Sequence, residues 1–194
     1  MPQITPASLL TLEAYAKARK DFRAKVIAHK KNRTVPLGEH VTLIFEDELT
    51  IRYQIQEMLR VERIFEETGI RDELDAYNPL IPDGSNWKAT MLIEYPDADE
   101  RRVMLARLKG IEHSVWVQVE GADRVHAIAD EDLERENAEK TSAVHFLRFE
   151  LSPEMKHALG AGAGLSMGIA HPACQIKIGV AAAVRASLMR DMET

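Results

Sequence analysis

Two side chains sit where an apolar core would not choose them. At about 100° per residue, a helix over residues 48–67 gathers Ile51, Ile55, Met58 and Phe65 into one stripe with Glu62 at its centre. A carboxylate in that place needs a partner, because burying it alone costs several kcal/mol or forces it to take a proton. Glu62 is therefore expected to be buried and paired. Strand alternation over residues 141–151 sets His145 beside Ala143, Leu147, Phe149 and Leu151, where an imidazole must be hydrogen-bonded or ligated. Facing each other across one core, Glu62 and His145 would form either a buried structural pair or half of a metal site. Such borderline-to-hard ligands suit a non-haem metal ion, namely iron, manganese or zinc. Two ligands are too few unless Gln54, Glu57, Glu66 or His29 converges on them.

Other motifs carry less. Gly164, Ser166 and Gly168 match the G-x-S-x-G elbow of serine hydrolases, but a short helix precedes them and Pro172 follows where a helix should run. Glu154 and His157 have the E-x-x-H spacing of di-iron helices, yet Glu154 lies in a first turn, where its charge suits the helix dipole. His171 and Cys174 are close in sequence, and no second thiolate joins them.

The elements that must position these groups follow from capping and periodicity. Thr5 and Pro6 open a helical start with a second set at Phe22, Val26, His29 and Arg33; Thr34, Pro36 and Gly38 then break it before a strand over 41–46. The 48–67 helix ends at Gly69, and residues 76–87, rich in turn chemistry, form a long loop leading to a strand at 88–95. Asp97 caps a helix closed by Gly110. A hairpin pairs residues 115–120 with 124–129, setting Glu120 opposite Arg124 and Gln118 opposite His126. An acidic crossing, residues 130–140, reaches the His145 strand. Ser152 and Pro153 then cap a short helix, two short strands flank Pro172, and a helix runs from about Ala181. The expected fold is α+β, with an antiparallel sheet of about five strands covered by helices. It forms one domain with a basic helical arm at residues 1–34 and a C-terminal helix at 181–194.

Composition narrows the function classes. With 45% hydrophobic and 29% charged residues the chain can build a core, and its single cysteine rules out an internal disulfide, which fits a reducing cytoplasm. There is no apolar run long enough to span a membrane and no secretory leader pattern. The net charge of −6 disfavours nucleic acid, although residues 1–33 hold eight Lys and Arg against Glu13 and Asp21, leaving the remainder strongly acidic. Such an arm either docks on its own body or a twin, or meets an anionic partner.

The stretches 32–70, 73–101 and 129–155, with QIQEMLR, YNPLIPDG and KTSAVHFLRF among them, resemble a bacterial family known only as a domain of unknown function, about 190 residues long. The resemblance implies a redox or oxidative-stress setting, because such proteins tend to be encoded beside rubrerythrin-like di-iron proteins and iron–sulfur oxidoreductases. It implies no catalytic or ligand residue. The leading expectation is a non-catalytic cytoplasmic accessory that binds a partner protein of that kind or its own twin. Its contacts would be the basic first helices, the 76–87 loop and the face bearing Tyr53 and Arg60. The alternative is a metal-dependent redox or hydrolytic protein using Glu62 and His145.

Overall fold

A computed structural model describes residues 3–129 and 140–192. The acidic crossing at 130–139 lies outside the described residues, as do the two residues at each end. A 3-10 turn at Pro6–Ser8 precedes α1 (Leu12–Lys30), which is capped by the Thr11 hydroxyl accepting from the Ala14 amide. There follow β1 (Thr34–Leu37), β2 (Val41–Phe45), α2 (Glu48–Val61), α3 (Glu67–Tyr77), β3 (Asn86–Ile93) and α4 (Ala98–Arg107). Then come β4 (Val115–Val119), β5 (Val125–His126), β6 (Val144–Glu150), α5 (Pro153–Gly160), β7 (Leu165–His171), β8 (Cys174–Gly179) and α6 (Ala182–Met189).

The fold is α+β, with six helices and two four-stranded antiparallel sheets among the described residues rather than one sheet of about five strands. One sheet has the order β1-β2-β3-β6 and the other β5-β4-β7-β8. They meet at one corner, where Ile128 and Arg148 exchange a pair of 2.8 Å backbone hydrogen bonds. Alternation sends Leu43, Phe45, Trp87, Met91, Leu147 and Phe149 from the first sheet toward Val115, Val117, Met167 and Ile169 of the second. On the opposite face of the first sheet, Ile51, Ile55 and Leu59 of α2 join Leu74, Leu80 and Ile81 in a second apolar cluster that includes the partly buried Phe146. Each fully buried side chain of this kind contributes roughly 1.5–3 kcal/mol.

The helix expected over 48–67 stops at Val61, and the reason is a C-terminal Schellman arrangement. Arg63 adopts a left-handed φ of 54°, the Ile64 amide returns to the Leu59 carbonyl at 2.9 Å, and the Ile64 side chain reaches the second cluster. Gly69, expected as the stop, instead lies in the first turn of α3, where a Cβ would come within 2.7 Å of Ile64. Much of the expected 76–87 loop is likewise structured. A 3-10 turn at Asn78–Leu80 buries Leu80 and Ile81, and the Asn78 amide grips both backbone groups of Ile4 at 3.1 and 3.0 Å.

β1 was not expected at all; it pairs only with β2, an edge position that tolerates Pro36. The hairpin register differs by two residues, pairing Trp116 with His126, because its loop is longer than three residues; an even slip keeps every side chain on its expected face. The caps at Asp97 and Ser152, the inward side of β6 and the last helix lie where the sequence put them. No helix among the described residues is long and apolar enough to cross a membrane.

Candidate functional site

A cavity of about 220 Å³ lies between the first sheet and α2, and its floor and roof come from separate parts of the chain. Ile44, Thr90, Leu92, Val144 and Phe146 are the outward residues of β2, β3 and β6. Ile51 and Gln54 of α2, Tyr77 and Leu80, and Lys30 at the end of α1 close it over. Glu46, which is 8% exposed, lines it as well.

Glu46 owes its position to the strand-to-helix junction. Asp47 caps α2, its carboxylate accepting from the Thr50 amide while the Asp47 amide donates to the Thr50 hydroxyl. With its oxygen so engaged, the Thr50 hydroxyl turns its own proton to Glu46 Oε2 at 2.5 Å, closer than its 3.1 Å approach to the Asp47 carbonyl. Thr90 donates to Oε1 at 2.6 Å. Both carboxylate oxygens are thus acceptors, and each keeps a further lone pair. Among the described residues no cation pairs with Glu46, although Lys30 lines the same space. The Glu46 main chain is fixed from behind: Arg33 donates to the Glu46 carbonyl at 2.9 Å, to the Phe45 carbonyl at 2.8 Å and to Asp191 at 2.5 Å.

The sequence-derived candidates do not share a site. Glu62 is exposed at the C-cap of α2, so the expectation that it is buried and paired is overturned; the helix ends before its periodicity could carry Glu62 inward. His145 is buried as expected, but it faces the space between the sheets, whereas α2 lies on the other face of that sheet. Its Nε2 is 2.9 Å from the Thr141 hydroxyl and 3.1 Å from the Ser142 carbonyl. His29 contacts Asp47 at 2.5 Å, Glu66 is exposed, and Gln54 lies at the cavity rim. Among the described residues no three His, Cys, Asp or Glu side chains converge in a way that could hold a metal ion.

The remaining motifs resolve locally. Ser166 sits within β7 opposite Gly179, so Gly164–Gly168 forms no strand-turn-helix elbow. His171 meets the Lys109 carbonyl through Nε2 and the Ala173 amide through Nδ1, while burial pushes the Cys174 thiol up and away from thiolate. Larger clefts, about 590 Å³ beside Ser166 and about 720 Å³ beside His40, are open.

The basic arm is docked on its own body. Arg19 makes a bidentate pair with Glu57 at 2.7 and 2.8 Å, Tyr15 donates to the same carboxylate at 2.6 Å, and Tyr53 packs edge-on against Phe22. Arg60 also reaches Glu57, at 3.3 Å. Arg19 and Tyr53, from the two surfaces expected to meet a partner, thus join α1 to α2, while Lys17, Lys20, Arg23, Lys25 and Lys31 of the arm and Arg60 of α2 are exposed. The hydrogen bonds from Arg19, foremost, hold the Glu57 carboxyl down at about 2, against an ordinary 4.5. A depressed carboxyl stabilises the fold above its unfolded pKa and loses that contribution as pH falls through its folded one. The melting temperature is accordingly expected to fall between about pH 4.5 and 2, and Glu57→Gln to flatten that part of the profile; equal acid slopes in both proteins would refute this role.

Comparison with known proteins identifies relatives but no activity. No curated protein matches the chain. A crystal structure from Burkholderia pseudomallei, described as a novel protein of unknown function, is 58% identical, with 99% of this chain and 100% of that one covered at a TM-score of 0.94. Residues 3–192 match the family described as protein of unknown function (DUF3501), and the chain belongs to that family.

Proposed function

We propose that this protein is a non-catalytic accessory that works by binding, with the Glu46 cavity as its receptor site. The observation that carries this reading is an acceptor-only carboxylate held by two dedicated hydroxyls in the wall of a largely apolar cavity. Burial penalises such a group, and a few convergent polar atoms in an apolar recess are what small-molecule sites are built from. The resemblance drawn from the sequence supports a cytoplasmic redox or oxidative-stress setting for it, beside a rubrerythrin-like or iron–sulfur oxidoreductase partner. Saturation-transfer NMR with 1-hexanol, a neutral probe, tests the cavity. Transfer is expected in the wild type and should vanish in Val144→Phe, which fills the space, with the circular dichroism unchanged. A wild-type protein giving transfer to neither 1-hexanol nor L-leucine would end the receptor reading.

Contact with a partner protein or a second copy is favoured by a separate observation. Phe65 is 74% exposed and Val61 58%, and both lie near the corner where α2 gives way to α3. If that corner joins two copies, sedimentation should show a dimer that Phe65→Glu dissociates. A monomer at every concentration would remove self-association and leave the corner to another protein.

A further inference from the structure

We infer that the Glu46 cavity takes a small aliphatic amino acid, with its ammonium against Glu46, its carboxylate toward Lys30 and its side chain among Ile44, Ile51, Leu92 and Phe146. The inference rests on the receptor reading above and adds the charge pattern of the ligand. The Thr50 and Thr90 hydroxyls donate hydrogen bonds to Glu46, so what it still offers is negative charge and two free lone pairs. A primary ammonium, with three donors, satisfies both oxygens at once. A metal ion is poorly served, because those hydroxyls, turned toward Glu46, leave a single carboxylate as the anionic ligand.

Lys30 decides between ammonium compounds. It lines the cavity, is half-buried and makes no ion pair among the described residues. Beside a simple alkylamine it would meet a like charge; beside a zwitterion it meets a carboxylate. A fatty acid would satisfy Lys30 but bring no donor to Glu46. The volume, about 220 Å³, lies below the 300–1,000 Å³ of pockets for drug-sized ligands and equals that of about seven water molecules. That suits a ligand of amino-acid size with a short aliphatic side chain.

Isothermal titration calorimetry on the full chain with L-leucine, n-hexylamine and 1-hexanol separates the possibilities. L-leucine is expected to bind most tightly of the three, and to weaken about tenfold or more in both Glu46→Gln and Lys30→Met. Hexylamine should weaken in Glu46→Gln only, and 1-hexanol in neither. Lys30→Met alters a half-buried residue at a helix end, so it keeps the test decisive should Glu46→Gln fold poorly. If 1-hexanol binds and L-leucine is no tighter, or if L-leucine ignores Lys30→Met, the inference falls while the receptor reading stands. If neither L-leucine nor 1-hexanol binds, both fall.

Discussion

Replacing Arg33 with methionine is expected to lower stability by about 3–5 kcal/mol, the range for breaking a buried ion pair from one side. At roughly 2–4 °C per kcal/mol for a chain of this size, the melting temperature should drop by about 6–20 °C. Arg33 is 1% exposed, and its guanidinium serves Asp191, Asp47 and the carbonyls of Phe45, Glu46 and Ser187. Methionine fills much of the volume and satisfies none of these acceptors. Burial already outweighs Arg33 and pushes the Asp191 carboxyl up to about 6, so without the guanidinium it will take a proton at still higher pH. A carboxyl raised in this way favours the fold fully below its unfolded pKa, near 3.8, and loses that contribution as pH rises through the folded value. The deficit of Arg33→Met should therefore be largest at neutral pH and smaller near pH 4. Adding Asp191→Leu should restore part of it, because the orphaned charge is gone while the carbonyls remain unpaired. Thermal melts of the three proteins at both pH values check this; a deficit independent of pH would detach Asp191 from the effect.

Gly168→Ala is the second large effect. A Cβ at Gly168 would stand 2.1 Å from the Ile176 carbonyl oxygen and 2.5 Å from the Trp116 ring. The carbonyl belongs to β8 and the ring is wholly buried, so neither can yield without parting β7 from β8 or displacing Trp116 from beneath Arg124, whose guanidinium lies 4.0 Å from the ring centroid. Overpacking of this kind costs about 1–3 kcal/mol, and contact with rigid backbone puts it at the upper end. Gly179→Ala, with nothing within 4 Å of the new methyl, is the matched control and should change little. Equal melting temperatures for the two variants would refute the close approach.

Local signals in the sequence served the fold better than the site. The caps at Asp97 and Ser152 and the inward face of β6 follow from chemistry within a few residues, so they were legible. The end of α2 was not, because hydrophobic periodicity runs on through Glu62 while the backbone turns at Arg63, a residue type that rarely signals a left-handed cap. Glu62 drew attention through a helical turn that does not exist. Glu46 drew none, since a glutamate after a strand reads as a solvated end. The available signal was Thr50 in the capping box opened by Asp47, with Thr90 between Lys88 and Leu92 on one face of its strand, but only the pairing of β2 with β3 brings Thr90 to Glu46. In the sequence Arg33 belongs to a basic surface, because its charge gives no sign of a partner 158 residues away.

That separation sets a timetable for synthesis. At about 5–20 residues per second, Asp191 is made roughly 8–30 s after Arg33. Throughout that interval the guanidinium, placed behind β2 and the start of α2, has no carboxylate from α6 and its following turn to receive it. The Trp87 indole waits similarly for the Leu188 carbonyl. The growing chain can form its local hairpins and helices, but the first sheet cannot seal its core until this distant segment has left the ribosome. During translation the β1–β2–β3 region therefore waits on contacts made only by the last residues of α6 and its following turn.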